Sequence, residues 1–265
     1  MASARVAPAS TNASRLLVVS GHVYGCFGLP SMDNGRACVP LRLLSASVTA
    51  TFAVNVTSPS FKQSASTSAD TASTTISQAF TTTVTAGDLI VAAVSWGNSS
   101  SLTCSDSQAN VYTTLPLQYD STNNQSLGIC YAANVKAGST TVTATLASSA
   151  TFRRLLVHEY AGLALTNPVD VTAGNIANGT TAANGVTTTS VTTTAAGRLV
   201  FAAVMDDAGT ATIQAGSGFT LRTVLGSALA SEDLVQATAG SIAGTFTFSV
   251  AHRYLARVVA FKSGG

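Results

Sequence analysis

The stretch VTAGDLIVAAVSW, residues 84–96, is written a second time as TTAAGRLVFAAVM, residues 193–205, with Gly87 and Leu89 answered 110 positions later by Gly197 and Leu199. Each copy is a continuous apolar run that follows a turn containing glycine. A run of this length without polar alternation is typical of a β-strand that is buried on both faces. The repetition predicts a protein built from two related halves, each with such a strand at its centre.

The rest of the chain from residue 57 onward also favours β-structure. Short runs of β-branched and apolar residues stand between Gly, Ser, Asn and Pro, and no segment has sustained helical periodicity. Residues 141–146, TVTATL, alternate strictly, which places Val142, Ala144 and Leu146 on one face. Residues 245–250, TFTFSV, follow the same pattern. The sequence therefore predicts an all-β fold.

A third pair of motifs, RLLV at 154–157 and RVVA at 257–260, follows in the same order in both halves. Two such halves can form tandem immunoglobulin-like domains or one jelly-roll-type sandwich. The join GLALTNPVD, residues 162–170, is short and apolar, which favours a single sandwich over residues 57–265. The tandem alternative requires residues 57–163 to fold alone around a closed core.

Charge excludes several classes of partner. Charged residues make up 9% of the chain, compared with about 25% in typical soluble domains, and the net charge is +2. The first 56 residues carry a net charge of +3 and the remainder a net charge of −1, and the longest basic run in the remainder is Arg153-Arg154. Binding to nucleic acid or to an anionic membrane needs a basic patch. We therefore expect neither partner.

The segment that starts at Met32 has the order of parts found in a secretory signal. Arg36 and Arg42 form a basic region, residues 41–53 are apolar, and small residues follow where a peptidase would cut. We expect a signal over about residues 32–53, cleavage near Ala53 and a secreted or cell-surface protein without a membrane span in the mature chain. The alternative is an ordinary β-strand within residues 41–56. If residues 32–53 are a signal, residues 1–31 are either an unusually long N-terminal region of that signal or an upstream extension.

Several motifs together resemble a family of secreted bacterial domains. They include TAGDLIVAAVSW, CSDSQANVYT, ICYAANVKAGSTTVTATL, VHEYAGL, TNPVDVT, AGSGFTLR, SEDLVQATAG and VVAFKSG, and they cover residues 57–265. The chain is similar to uncharacterised jelly-roll or concanavalin-like β-sandwich modules of extracellular and surface proteins. The resemblance implies this fold and an extracellular location, and it transfers no catalytic residues.

Cys104 and Cys130 lie on segments that are predicted to be neighbouring strands. In an exported protein such a pair is typically bridged, so we expect a disulfide, with two small buried thiols as the alternative. Cys26 and Cys38 fall in the N-terminal extension. The spacing of the cysteines and histidines indicates no zinc site.

His158 and Glu159 are adjacent, and adjacent strand residues point to opposite faces, so they are not expected to share a proton. Glu159 shares a face with apolar residues, which favours a buried, hydrogen-bonded role. The chain has one other glutamate, Glu232. Two glutamates across one cleft would make a glycosidase, with carboxyl groups about 5–5.5 Å apart for retention or about 6.5–9.5 Å for inversion.

Loop carboxylates indicate a possible calcium site. Asp206 and Asp207 follow the second copy of the apolar strand, and Asp106 lies in the turn SDSQAN. Calcium binds such oxygen ligands and often braces the edges of extracellular sandwiches. The alternative is that the same side chains cap turns through hydrogen bonds to backbone amides.

Trp96, Tyr112 and Tyr131 are candidates for stacking on a sugar ring, and Tyr119 is a fourth aromatic of the same region. Trp96 ends the first apolar strand next to a Gly-Asn-Ser loop, where a carbohydrate platform would lie. The alternative is that its ring closes the end of the core.

These features favour a non-catalytic extracellular module that binds a partner such as polysaccharide, or that builds surface structure with other surface proteins. The glycosidase with Glu159 and Glu232 is the alternative, and the low aromatic content, 6%, is unfavourable to it. A Thr-rich ice-binding or filament-forming face is a third hypothesis, suggested by TTTSVTTT at residues 187–194, although the chain lacks a short solenoid repeat.

Overall fold

The computed structural model describes residues 14–19, 48–53, 57–177 and 183–265. Contacts divide the chain into two compact units, Met1–Val56 and Thr57–Gly265. Every regular element in the described ranges is a β-strand, which confirms the all-β prediction. None of the described residues belongs to a helix that is long and apolar enough to cross a membrane.

In the N-terminal unit, strand β1 (Ser14–Val19) pairs antiparallel with β2 (Val48–Ala53). Strand β2 falls within residues 41–56, where the sequence left a strand open as the alternative to a secretory signal. The rest of the predicted signal lies outside the described residues, as do Cys26 and Cys38. Export therefore stays a prediction.

The larger unit begins with its first half, whose strands are β3 (Ser60–Ala69), β4 (Ser73–Ala79), β5 (Leu89–Trp96), β6 (Leu102–Asp106), β7 (Thr113–Thr114), β8 (Gln118–Asp120), β9 (Gln125–Ala132), β10 (Thr141–Ala150) and β11 (Arg153–Ala161). They form a large sheet in the order β3-β11-β5-β9-β7, with β8 also paired to β9, and a small sheet in the order β4-β10-β6.

The strands of the second half are β12 (Val169–Ala177), β13 (Ala183–Thr187), β14 (Val191–Thr192), β15 (Arg198–Asp206), β16 (Ile213–Ala215), β17 (Thr220–Leu225), β18 (Leu229–Gln236), β19 (Ser241–Ile242), β20 (Thr245–His252) and β21 (Tyr254–Phe261). Their large sheet has the order β12-β21-β15-β18-β17, and their small sheet the order β13-β20-β16. Both sheets repeat the strand orders of the first half, so the duplication read from the sequence is a duplication of topology.

The second half also contains a two-stranded sheet, β14-β19. Three apolar layers separate the four larger sheets. The first layer fills the space between the two sheets of the first half, and the third layer does the same in the second half. The middle layer lies between the two large sheets and draws residues from both halves. The larger unit therefore contains two pseudo-repeated sandwich-like halves that share one central core. The jelly-roll connectivity stays a prediction.

The two long apolar strands explain why their sequence does not alternate. Along β5 every residue is buried, and along β15 all residues except Arg198 are buried. Alternate side chains enter different layers: Ala202 packs in the outer layer of its half, whereas Phe201 packs in the central layer. A Cβ atom placed on Gly244 would lie 2.5 Å from the Cβ of Ala202, so alanine is needed where the facing segment comes close.

The third pair of sequence motifs, RLLV at 154–157 and RVVA at 257–260, does not align structurally equivalent residues. Ala92 of β5 lies opposite Val157, and the equivalent Ala202 of β15 lies opposite Val258. Structurally equivalent residues of β11 and β21 are therefore 101 positions apart, not 103 as the match of Arg154 with Arg257 suggested. The offset of two residues preserves the buried face of a strand, which is why the sequence match looked correct.

The predicted disulfide is confirmed. Cys104 on β6 is bonded to Cys130 on β9, with their Cα atoms 6.3 Å apart. Cys130 faces the first apolar layer, and Cys104 packs against it from the small sheet. The bond therefore ties the two sheets of the first half across their core.

Candidate functional site

The C-terminal ends of β5 and β15 meet at a cavity of about 370 Å³. Its walls come from both halves of the larger unit. The lining residues are Asp70, Ser95, Trp96, Gly97, Gln125, Phe152, Arg154, Met205, Asp206, Asp207, Ala208, Gly209, Gly226 and Ala228. The volume is within the range of small-molecule sites, which are typically about 300–1,000 Å³.

The two halves contribute different chemistry to this cavity. By the spacing of the repeated strands, Trp96 is equivalent to Asp206, and Gly97 is equivalent to Asp207. The first half thus provides an indole where the second half provides a carboxylate. The equivalent strand ends form an asymmetric site with an aromatic side and an acidic side.

Asp206 is buried and holds the loop that follows β15. Its Oδ1 accepts hydrogen bonds from the Ala208 amide at 3.1 Å and from His252 Nδ1 at 2.8 Å, and its Oδ2 accepts one from the Ala211 amide at 3.1 Å. This is the turn-capping role that the sequence left open as an alternative to calcium binding.

Asp207 presents a different carboxylate to the cavity. Its backbone is fixed on both sides: its amide donates to the Arg253 carbonyl at 3.2 Å, and its carbonyl accepts from Gln125 Nε2 at 3.4 Å. Among the carboxylates that line the cavity, Asp70 pairs with Arg154 at 2.6 Å and Asp206 pairs with His252, whereas no described cation lies within 4.0 Å of the Asp207 carboxylate. Burial and the charge of Asp206 raise the pKa of Asp207.

Ligand atoms of Asp206, Asp207 and His252 lie within 4.8 Å of one another. Asp106 is not a member of this cluster, because its carboxylate caps its own turn by accepting from the amides of Gln108 at 3.0 Å and Asn110 at 3.1 Å. The three predicted metal ligands therefore do not form one site. Calcium takes about six to eight oxygen ligands, and a cluster with one imidazole and one committed carboxylate does not fit that ion.

Trp96 lies at the cavity but closes the end of the core. It is 1% exposed, and a Cβ atom on Gly128 would lie 3.3 Å from Cη2 of its ring. The indole N–H has no acceptor among the described residues. The accessible aromatic ring is Phe152, which is 59% exposed at the rim and was not selected from the sequence.

The predicted tyrosine ligands lie elsewhere. The hydroxyl of Tyr112 donates to Asp106 Oδ2 at 3.0 Å, and the ring of Tyr131 packs edge-on against Phe261 with centroids 5.6 Å apart. Tyr119 donates to Asn124 Oδ1 at 3.1 Å. None of the three lines the described cavity, so the structure does not bring Tyr112 and Tyr131 together with Trp96.

The two glutamates do not face one cleft. Glu159 shares its face with Leu155 and Val157, which lie in the first apolar layer, whereas Glu232 shares its face with Ala230 in the third layer. Each carboxylate is buried and accepts hydrogen bonds within its own half. Glu159 accepts from Thr85, and Glu232 accepts from the Gly216 and Thr245 amides at 2.8 and 3.1 Å. The central layer lies between them, so the hypothesis that they form a glycosidase pair is wrong in its geometry.

His158 belongs to a buried polar network in the central layer. Its Nε2 is 2.8 Å from Ser231 Oγ, and burial lowers the pKa of His158 to about 3, so the ring is neutral. Nearby, the Tyr160 hydroxyl donates to Asp233 Oδ2 at 2.7 Å. Both contacts join β11 of the first half to β18 of the second. The network fixes the position of one half on the other.

The raised pKa values of two buried carboxyls make the free energy of unfolding depend on pH. Burial, followed by the neighbouring Glu159, raises the pKa of Asp88 to about 7, and burial raises the pKa of Glu232 to about 7. The native state therefore holds more protons on these groups than the unfolded chain does between about pH 5 and 7. His158 opposes them below its ordinary pKa of 6.5, because its folded pKa is about 3.

We expect the free energy of unfolding to rise as pH falls from about 7 to about 5. Two carboxyls gain protons and one histidine opposes them, so the net slope is about 1.4 kcal/mol per pH unit at most. Thermal unfolding at both pH values measures the effect. Asp88→Asn and Glu232→Gln should each flatten the dependence, and a lower melting temperature at the acidic pH would contradict it.

Comparison with known proteins adds no assignment. No protein-family model, curated protein or solved structure matches the chain. Function must therefore be argued from the site itself.

Proposed function

We propose that the protein is a non-catalytic extracellular module that binds a saccharide in the cavity between its two halves. The observation that carries this proposal is the asymmetric cavity, where the open ring of Phe152 from the first half lines the same space as the carboxylate side chains of Asp206 and Asp207 from the second half. Saccharides combine apolar ring faces with many hydroxyls, and a site with an aromatic side and a polar side suits both.

An extracellular location is supported by the disulfide. Structural disulfides persist in oxidising compartments and are rare in the cytosol. The Cys104–Cys130 bond spans the core of the first half, and it is structural rather than exposed. The N-terminal signal predicted near residues 32–53 points in the same direction.

A non-catalytic role is supported by the hydrogen bonds and ion pairs that already engage most of the acidic side chains. Glu159 and Glu232 are committed to backbone amides in separate layers. In the cavity, Asp206 holds its loop and Asp70 is paired with Arg154. The raised pKa of Asp207 is a feature of general acids, so hydrolysis is the second candidate, and the same experiment can test it.

The full chain, produced in an oxidising compartment, should bind oligosaccharides in a glycan array and in calorimetric titration. Phe152→Ala is expected to weaken binding by roughly 2- to 12-fold, the equivalent of about 0.5–1.5 kcal/mol for a lost stacking contact. Val111→Ala is the matched control, because Val111 is 87% exposed and does not line the cavity.

Release of reducing ends should be measured on the same saccharides. Hydrolysis that is abolished by Asp207→Asn would replace the binding proposal with an enzyme. Silence in both assays would contradict the proposal and leave structure or assembly at the cell surface as the surviving function.

A further inference from the structure

We propose that the cavity selects an amino sugar, whose protonated amino group sits between the Asp207 carboxylate and the Gln125 side chain. This inference rests on the proposed saccharide binding and names the class of saccharide. It follows from three features of the described residues in the cavity: the Asp207 carboxylate without an ion-pair partner, the Gln125 Oε1 acceptor without a donor, and the exposed ring of Phe152.

The Asp207 carboxylate has no described cation within 4.0 Å. Asp70 forms an ion pair with Arg154 at 2.6 Å, and Asp206 accepts hydrogen bonds from His252 at 2.8 Å and from the Ala208 and Ala211 amides. Burial and Asp206 raise the pKa of Asp207, whereas His252, Arg253 and the Ala208 amide lie near enough to lower it. Arg253 Nη1 donates to Asn123 Oδ1 at 3.1 Å, and none of the described salt bridges includes Asp207. A neutral ligand that covered Asp207 would bury an unpaired charge, whereas a cationic ligand would neutralise it.

The part of the cavity that the structure describes also has a hydrogen-bond acceptor without a donor, which suits a ligand that carries donors and a positive charge. Gln125 uses Nε2 to hold the Asp207 carbonyl, and its Oε1 is a buried acceptor without a donor among the described residues. Asp207 and Gln125 both line the cavity, and each has a side-chain oxygen that can accept a hydrogen bond. An ammonium group has three donors and no acceptor, so it satisfies both side chains, whereas a hydroxyl would bring a lone pair as well.

The backbone that carries the Asp207 carboxylate is held by hydrogen bonds. Asp206 anchors the loop through the Ala208 and Ala211 amides, and Asp207 is held at its amide and at its carbonyl. Preorganised acceptors lose little conformational entropy on binding. The carboxylate of Asp207 is therefore the part of this loop that remains for a ligand.

Phe152 completes the site from the other half. Its ring is open to solvent at the rim of the same cavity. Cations are attracted to the faces of aromatic rings within about 6 Å, and sugar rings stack on the same faces. A cationic sugar can use both kinds of contact, which a neutral sugar or a simple amine cannot.

The test is calorimetric titration of the full chain, at neutral pH, with a glucosamine tetrasaccharide and with its N-acetylated counterpart. Acetylation removes the charge and keeps the sugar backbone. We expect the glucosamine oligomer to bind about tenfold tighter, and we expect Asp207→Asn to abolish that preference while the acetylated oligomer still binds.

Asp170→Asn is the matched control, because Asp170 pairs with Arg198 and does not line the cavity. The preference should survive this substitution. Equal affinity for the two oligomers, or a preference that persists in Asp207→Asn, overturns the amino-sugar inference and leaves saccharide binding intact. Failure of both oligomers and of every other saccharide overturns the proposed function as well.

Discussion

Asp233→Ala is expected to lower the free energy of unfolding of the larger unit by about 3 kcal/mol. Asp233 is 4% exposed and accepts from the Tyr160 hydroxyl, and it forms a two-point ion pair with Arg222 at 2.7 and 2.8 Å. Removal of one partner of a buried pair costs about 3–5 kcal/mol, because the remaining polar groups stay buried and unpaired. Partial exposure of Arg222 places the expected loss at the lower end.

Urea denaturation of both proteins measures this loss. The substitution acts between the halves, since Tyr160 belongs to β11 and Asp233 to β18. A double-mutant cycle with Tyr160→Phe should therefore show coupling of about 1 kcal/mol or more. Asp70→Ala is the control, because its ion pair with Arg154 lies within the first half and the Asp70 side chain is 66% exposed, and it should cost less than about 1 kcal/mol. If Asp233→Ala also lowered the free energy of unfolding by less than about 1 kcal/mol, the polar network would not be what holds the two halves together.

Replacement of both bonded cysteines by alanine is expected to cost about 3.5 kcal/mol. Cys104 and Cys130 are 26 positions apart, and closure of a loop of that length in the unfolded chain accounts for an effect of about this size. The bond joins the small sheet of the first half to the large one, so its loss loosens the first apolar layer. The side chain of Cys130 is fully buried, so a small loss of packing adds to the loss from loop closure.

Chemical denaturation with and without a reducing agent gives the same comparison without any substitution. Reduced wild-type protein and the double alanine variant should unfold at similar denaturant concentrations, and both should unfold below the oxidised protein. Addition of reductant to the double variant is the control and should change nothing. Equal stability of the oxidised and reduced wild-type protein would contradict the expected contribution.

The layered core could be predicted from the sequence only in part. The non-alternating run around Ala92 and its copy around Ala202 indicate strands buried on both faces, and the structure agrees. The pattern cannot say what covers each face, because any apolar layer produces the same run of residues. The structure shows that each long strand packs against one outer apolar layer and against the shared central layer, which the sequence pattern does not reveal.

The cavity was the least predictable feature. Trp96 and Asp206 were selected because each ends an apolar strand, and both line the cavity. Phe152 lies in the turn between β10 and β11, and Gln125 is the first residue of β9. Only the packing of the two halves brings these side chains together. No periodicity or spacing could have selected them.

The central layer also bears on how the chain arose. No described sheet mixes strands of the two halves, and each half encloses an apolar layer of its own. An ancestral polypeptide with a single half would have exposed the apolar face that now forms the central layer, and self-association of two identical copies is the simplest way to cover it. Gene duplication and fusion would turn such a homodimer into one chain. After fusion, its two copies of the strand end could diverge independently, one to tryptophan and the other to aspartate.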